Sequence, residues 1–174
     1  MADAQYILEV NNLCQHFSSG RGKKKLTVKA VDDVTFGVRP AETFGLVGES
    51  GCGKSTLGRT LLRLIEPTSG QVLYNGEDIV PYNKKQMNEM RKNMQLIFQD
   101  PYSSLNPRMS VSELIAEYMI VNKVCSSKGE LWDRVDELME TVGLAPRFAD
   151  AFPHELDGGR RQRIGIARAL AMNP

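Results

Sequence analysis

The residues with the clearest chemistry run Gly48-Glu49-Ser50-Gly51-Cys52-Gly53-Lys54-Ser55, with Thr56 next. They fit G-x-x-x-x-G-K-[ST] at every fixed position. Glycines let a backbone wrap around phosphate oxygens where a Cβ would intrude. Successive N–H groups and the positive end of a following helix then face the anion. Lys54 adds a mobile positive charge for the outer phosphates, and the Ser55 hydroxyl is placed to ligate Mg²⁺. The pattern implies binding of a nucleoside triphosphate.

Such a loop needs a strand before it and a helix after it. Thr43-Phe44-Gly45-Leu46-Val47 reads as a buried strand. Thr56 to Leu64 reads as the start of a helix with apolar residues at Leu57, Leu61 and Leu64. That helix ends by Pro67, because proline disfavours helix at the residue before it. Ahead of the loop, Tyr6 to Leu13 reads as a first strand, and the alternating part of Leu26 to Arg39 as a second. The front of the chain is therefore expected to be an antiparallel sheet leading into an α/β core. Between these strands lies Ser18 to Lys25, whose three lysines are most simply a solvated hairpin tip. Contact with membrane headgroups or a partner protein is the alternative. Phe17 is an aromatic ring that could stack on a base or pack in the hairpin.

Length and composition narrow the classes. The chain has 174 residues, about one domain. Lys plus Arg number 22 against 21 Asp plus Glu, a net charge of +1, which lacks the basic excess usual in nucleic-acid binders. Cys14, Cys52 and Cys125 are widely spaced, and His16 and His154 share no local ligand spacing. This argues against a disulfide framework or a zinc site and fits a reducing cytoplasm. No apolar run is long enough to span a membrane, and Met1 to Gln5 lacks the pattern of a signal peptide.

Beyond the loop, Gln71 to Tyr74 is a short strand, Asn75-Gly76 a hairpin turn, and Glu77 to Val80 the returning strand. Pro81 to Lys92 reads as a surface helix, and Asn93 to Phe98 as another buried strand, ending at Gln99. A loop with two prolines follows, from Asp100 to Pro107. Ser110-Val111-Ser112-Glu113 is a capping box for a helix. A second helix, about Gly129 to Val142, carries Leu131, Trp132, Val135, Leu138, Met139 and Val142 at helical spacing, which assigns Trp132 to the core. Residues 108–152 thus read as a helical insert. The chain closes with Leu156-Asp157-Gly158-Gly159-Arg160-Arg161-Gln162-Arg163 and a helix with an apolar face.

Taken in order, these residues resemble the first half of the nucleotide-binding subunit of an ABC transporter. Gly48 to Ser55 resemble that family's phosphate loop, Gln99 its Q-loop glutamine, and Leu156 to Arg163 its signature, usually Leu-Ser-Gly-Gly-Gln. Phe17 matches the aromatic position that packs on adenine. Gln99 to Arg108 and the Pro153-His154-Glu155-Leu156 lead-in are similar to the oligopeptide, dipeptide and nickel importers. The resemblance implies an α/β, ABC-type P-loop NTPase fold with an N-terminal antiparallel β subdomain and a helical insert. It divides the chain into a β region and phosphate-loop core at 1–99, a Q-loop and helical subdomain at 100–156, and signature and helix at 157–174.

The resemblance also implies ATP and Mg²⁺ as cofactors. Gly48 to Thr56 and Phe17 would hold one face of the nucleotide, and Asp157, Gly158 and Gly159 would meet the nucleotide of a second subunit. Lys54 and Gln99 would take catalytic roles, with Ser55 and Gln99 on the metal. The implied partners are a second ABC subunit, integral membrane permeases and an extracytoplasmic binding protein, with no nucleic acid. The implied location is peripheral, on the cytoplasmic face of the membrane. The function expected is the ATP-binding component of an oligopeptide or dipeptide importer. A non-catalytic remnant and a soluble ABC ATPase are the alternatives.

Two departures qualify this. Asp157 and Arg160 stand where serine and glutamine are usual. Aspartate keeps the helix cap but brings negative charge toward a phosphate. The expectation is weakened signature contacts, unless Asp157 and Arg160 compensate one another. The second departure is that no metal-supporting aspartate on an apolar strand, catalytic glutamate or switch histidine follows Pro174. The chain is therefore expected to be a fragment with the C-terminal half of the core missing, and its own ATPase activity is left open.

Overall fold

The computed structural model describes residues 6–20, 26–100 and 104–174. The N-terminal Met1 to Gln5, most of the lysine-rich loop at Arg21 to Lys25, and Pro101 to Ser103 lie outside the described residues. Two units form, Met1–Glu89 and Met90–Pro174.

In the first unit, alternating apolar residues build a four-stranded antiparallel sheet of order β2-β1-β3-β4. Its strands are β1 (Leu8–Ser19), β2 (Leu26–Val38), β3 (Ser69–Tyr74) and β4 (Glu77–Asp78). Strand β1 runs six residues beyond the expected Leu13, because Gln15 to Ser19 pair with Val31 to Leu26 across the hairpin. Val10, Leu13 and Val72 point from this sheet into the core. Asn75 and Gly76 both take positive φ, 49° and 83°. That left-handed pair gives a two-residue turn whose twist matches the flanking strands.

Helix α1 (Lys54–Leu61) packs on β1 and β2. It stops short of Pro67 because Arg63 turns left-handed at φ 47°. The Arg63 guanidinium then donates to the carbonyls of Ile79 and Tyr82, at 3.0 and 2.7 Å, and binds Glu66. Helix α2 (Lys84–Asn93) buries Met87 and Met90, as their spacing of three predicts.

Among the described residues, the second unit has three long helices, α3 (Val111–Asn122), α4 (Lys128–Thr141) and α5 (Gly158–Leu170). Its core joins Val111, Leu114, Ile115, Val135, Met139 and Ile164, all at most 1% exposed. The capping box forms as expected. Ser110 Oγ accepts from the Glu113 N–H at 3.3 Å, and the Glu113 carboxylate accepts from the Ser110 N–H at 2.8 Å.

Three local expectations fail. Residues 43–47 form no strand, and Phe44, Leu46 and Val47 are exposed, Val47 by 90%. Residues 94–98 likewise lack strand pairing, and Ile97 and Phe98 are exposed. The reason is common to both. A buried parallel strand exists only with hydrogen-bonded neighbours, and neither stretch finds one among the described residues. Trp132 is 42% exposed rather than core. On α4 the buried positions are Leu131, Val135, Leu138 and Met139. One residue after Leu131 is a step of about 100° around the helix, which carries Trp132 off the middle of that stripe.

Candidate functional site

The phosphate loop is shaped by its glycines. Gly51 and Gly53 take φ of 82° and 99°, where side-chain-bearing residues are strained. Gly53 has a second constraint, since a Cβ on it would sit 2.1 Å from the Ala30 carbonyl oxygen of β2. The loop closes by a Cys52 N–H bond to the Glu49 carbonyl at 3.3 Å. Glu49, Ser50 and Gly51 are exposed on its rim.

Gly53 is also the N-cap of α1. No side chain caps this helix, and its first turn holds no acidic residue. The leading N–H groups of a helix have no intrahelical acceptor and carry the positive end of its dipole. Lys54 arches back over the loop and donates to the carbonyls of Gly48 and Glu49 at 2.7 and 2.6 Å, with Cys52 Sγ at 3.5 Å. Its ammonium is thereby held across the loop that precedes the helix. Ser55 is exposed in the first turn, with Thr56 half-buried beside it. Phe17 lies on β1 opposite Val28, 45% exposed. The first unit thus brings Gly48 to Thr56 together around one helix end.

In the second unit, Gln99 is exposed at a bend. Asp157 caps α5: Oδ1 accepts from the Arg160 N–H at 2.8 Å, and Oδ2 accepts from the Arg160 guanidinium at 2.6 Å. Both carboxylate oxygens are therefore engaged within one turn. Arg160 also lies over the Phe148 ring, 4.7 Å from its centroid. A recess of about 320 Å³ opens here, lined by Gly143, Phe148, Asp157, Gly159, Arg160 and Arg163. A Cβ on Gly158 would meet nothing within 4 Å, so internal packing does not demand glycine there.

Two residues escaped the sequence reading. Phe148 gives Arg160 its apolar support, and Arg147 lies over the same ring at 5.0 Å. Arg168, on α5, donates to the Ser104 carbonyl at 2.9 Å, pairs with Glu117 at 3.3 Å, and covers the Tyr118 ring at 5.0 Å. It ties the segment that follows Gln99 to the helix that follows Asp157. An arginine on the polar side of an amphipathic helix gives no local sign of such a contact.

A family model described as ABC transporter matches residues 31–174. The chain is 54% identical over 169 residues to the oligopeptide transport ATP-binding protein OppF of Bacillus subtilis, covering 97% of this chain and 54% of that protein. It is 47% identical over 177 residues to AppF of the same organism, another oligopeptide transport ATP-binding protein, covering 99% and 54%. The chain spans about half the length of the curated relatives it matches. Among solved structures it is similar to the ATP-binding cassette MJ0796 in a dimeric, post-hydrolysis state bound to ADP and Pi. There the TM-score is 0.83 at 27% identity, covering 96% of this chain and 70% of that one. It is also similar to cbiO1 from Clostridium perfringens, part of an ABC transporter complex, with a TM-score of 0.82 at 27% identity over 98% and 63%. With that family model matched over residues 31–174, this chain belongs to the ABC transporter family.

Proposed function

We propose that the chain is the nucleotide-binding part of an energy-coupling subunit that drives oligopeptide import with ATP. The observation that carries this reading is the uncapped start of α1, with Lys54 held across the loop that precedes it. It is the fit expected for a polyphosphate. The group is anionic, the helix end is positive, and the close approach of Gly53 to β2 leaves no room for a side chain. Peptide as the cargo is supported by OppF and AppF, both oligopeptide transport ATP-binding proteins.

ATP bound here supplies the free energy of its hydrolysis to the transporter. The chain's own residues bind and orient it. Loop N–H groups and Lys54 neutralise the phosphates, with Lys54 exchanging its bonds to the Gly48 and Glu49 carbonyls for phosphate oxygens. Ser55 would hold Mg²⁺, and Phe17 would cover the base. The first turn of α5, at Gly158 and Gly159, would face the nucleotide of a second subunit, and the open space at Gly158 supports an approach from outside the chain. Asp157 does not repel that phosphate strongly in this reading, because Arg160 neutralises it within the same turn. Arg168 would couple the Gln99 segment to α5. The subunit would sit peripherally on the cytoplasmic face of a membrane, against permease subunits and served by an extracytoplasmic binding protein. No helix among the described residues is long and apolar enough to cross a membrane.

Uptake of a labelled oligopeptide tests the assignment. Cells lacking this coding sequence should lose uptake and regain it with the wild-type chain in its natural full reading frame, but not with Lys54→Ala. Unchanged uptake in the deletion strain would overturn the peptide-import reading.

A further inference from the structure

A second group of chemically active side chains lies in the first unit, on the β1–β2 hairpin. Cys14, His16 and Asp32 each offer one ligand atom, and these atoms all lie within 4.8 Å of one another. Spacing along the chain conceals the group, because Asp32 arrives from the opposite strand. Cys14 and His16 are two apart on β1, so they share a face, while Leu13 and Gln15 are buried on the other. Across the hairpin, the pairing shifts register three times, and the two shifts that matter here lie between Leu13 and Gln15 and between Gln15 and His16. These bulges fall at Asp32-Asp33 and Ala30, and bulges re-aim side chains. Asp33 takes φ of 55°, and Asp32 is brought to His16 with Oδ1 at 3.1 Å from Nε2.

We infer that Cys14, His16 and Asp32 form a binding site for one thiophilic divalent cation of the zinc class. The donor set is one thiolate, one imidazole and one carboxylate, which suits zinc and leaves a fourth position for water. It does not suit Mg²⁺, which takes oxygen donors. The spacing agrees: with ligand bonds near 2.0–2.1 Å, the N···O edge of a tetrahedron is about 3.3 Å. The imidazole and carboxylate already stand near that separation. The sulfur, within 4.8 Å of both, needs to move inward by at most about 1.2 Å to close the site.

The surroundings are built to hold these ligands. The Asp33 N–H donates to Cys14 Sγ at 3.2 Å and holds the sulfur in place. Thr68 fixes the backbone on both sides, its N–H donating to the Cys14 carbonyl at 2.8 Å and its hydroxyl accepting from the His16 N–H at 2.9 Å. Lys29 competes, reaching Asp32 at 3.1 Å, but that pair is exposed and weakly held. On binding, His16 would ligate as the neutral imidazole, with its one ring proton on the nitrogen facing away from the ion, and the thiol proton would leave to solvent. Ala30, whose carbonyl abuts Gly53, belongs to the same bulged stretch, so an ion here would stiffen the floor of the phosphate loop.

Cobalt titration reads the site directly. In a C52S/C125S background Cys14 is the sole thiol. Without nucleotide, Co²⁺ should produce thiolate-to-cobalt charge-transfer absorption that saturates at one ion per chain. Zn²⁺ should bleach it, and Mg²⁺ should not. D32N and H16Q should each weaken Zn²⁺ binding by about tenfold or more. Asp32 is exposed, so D32N tests the site without disturbing the core. If the double-serine background misfolds by circular dichroism, the difference between the unmodified chain and C14S alone gives the same reading. No charge-transfer band, or Zn²⁺ affinity unchanged in D32N and H16Q, overturns the site.

Discussion

Helices α1 and α5 begin in opposite ways, although each has glycine and a lysine or arginine at its start. Helix α1 starts at a left-handed Gly53 with no side-chain cap. Helix α5 starts at an extended Asp157 whose carboxylate takes the N–H of Arg160 and then its guanidinium. An uncapped start leaves donors and positive dipole available to an anion from outside. A capped start spends one donor on the chain itself and stabilises the helix by about 1 kcal/mol. The contrast teaches that a glycine-rich helix start is not by itself an anion site. The first is shaped to take a ligand alone. The second is shaped to be rigid, and its role in nucleotide binding would come through a partner.

Several changes would break or sharpen that contrast. Gly53→Ala should do the most harm, since it combines a positive φ with a Cβ 2.1 Å from the Ala30 oxygen. Thermal denaturation should show a loss of roughly 1–3 kcal/mol, and ATP binding should vanish with it. Lys54→Ala should leave stability nearly unchanged while weakening ATP by about ten- to a hundredfold, the loss of a charge-assisted contact of roughly 1.5–3 kcal/mol. Fluorescent-nucleotide titration measures this. Asp157→Ala should cost about 1 kcal/mol of stability by loss of the cap, whereas Asp157→Ser should cost only a few tenths. Equal losses would mean the carboxylate does more than cap. Arg160→Ala should also be mild, within about 1 kcal/mol in chemical denaturation, because its pair with Asp157 is exposed and screened.

The sequence was most legible where a residue type answers a local backbone demand. Gly51 and Gly53 sit at the positive φ that only glycine accepts easily, and Ser110 with Glu113 closes the cap its spacing requires. The helical stripe of Leu131, Val135 and Leu138 was equally plain. Legibility failed where the outcome depends on a distant partner. Phe44 to Val47 and Leu96 to Phe98 have the composition of buried strands, but composition cannot supply the neighbouring strand. Trp132 misled because it lies at the margin of its stripe, where helical spacing alone does not separate core from surface. Asp32 joined Cys14 and His16 only through two bulges, which no local pattern announces.

Calorimetric titration of Mg-ATP into the wild-type, Lys54→Ala and Asp157→Ser chains tests the central distinction most directly. One saturable site per chain is expected, strongly weakened by Lys54→Ala and retained in Asp157→Ser. Equal affinity in the wild-type and Lys54→Ala chains would contradict it, as would loss of binding in Asp157→Ser.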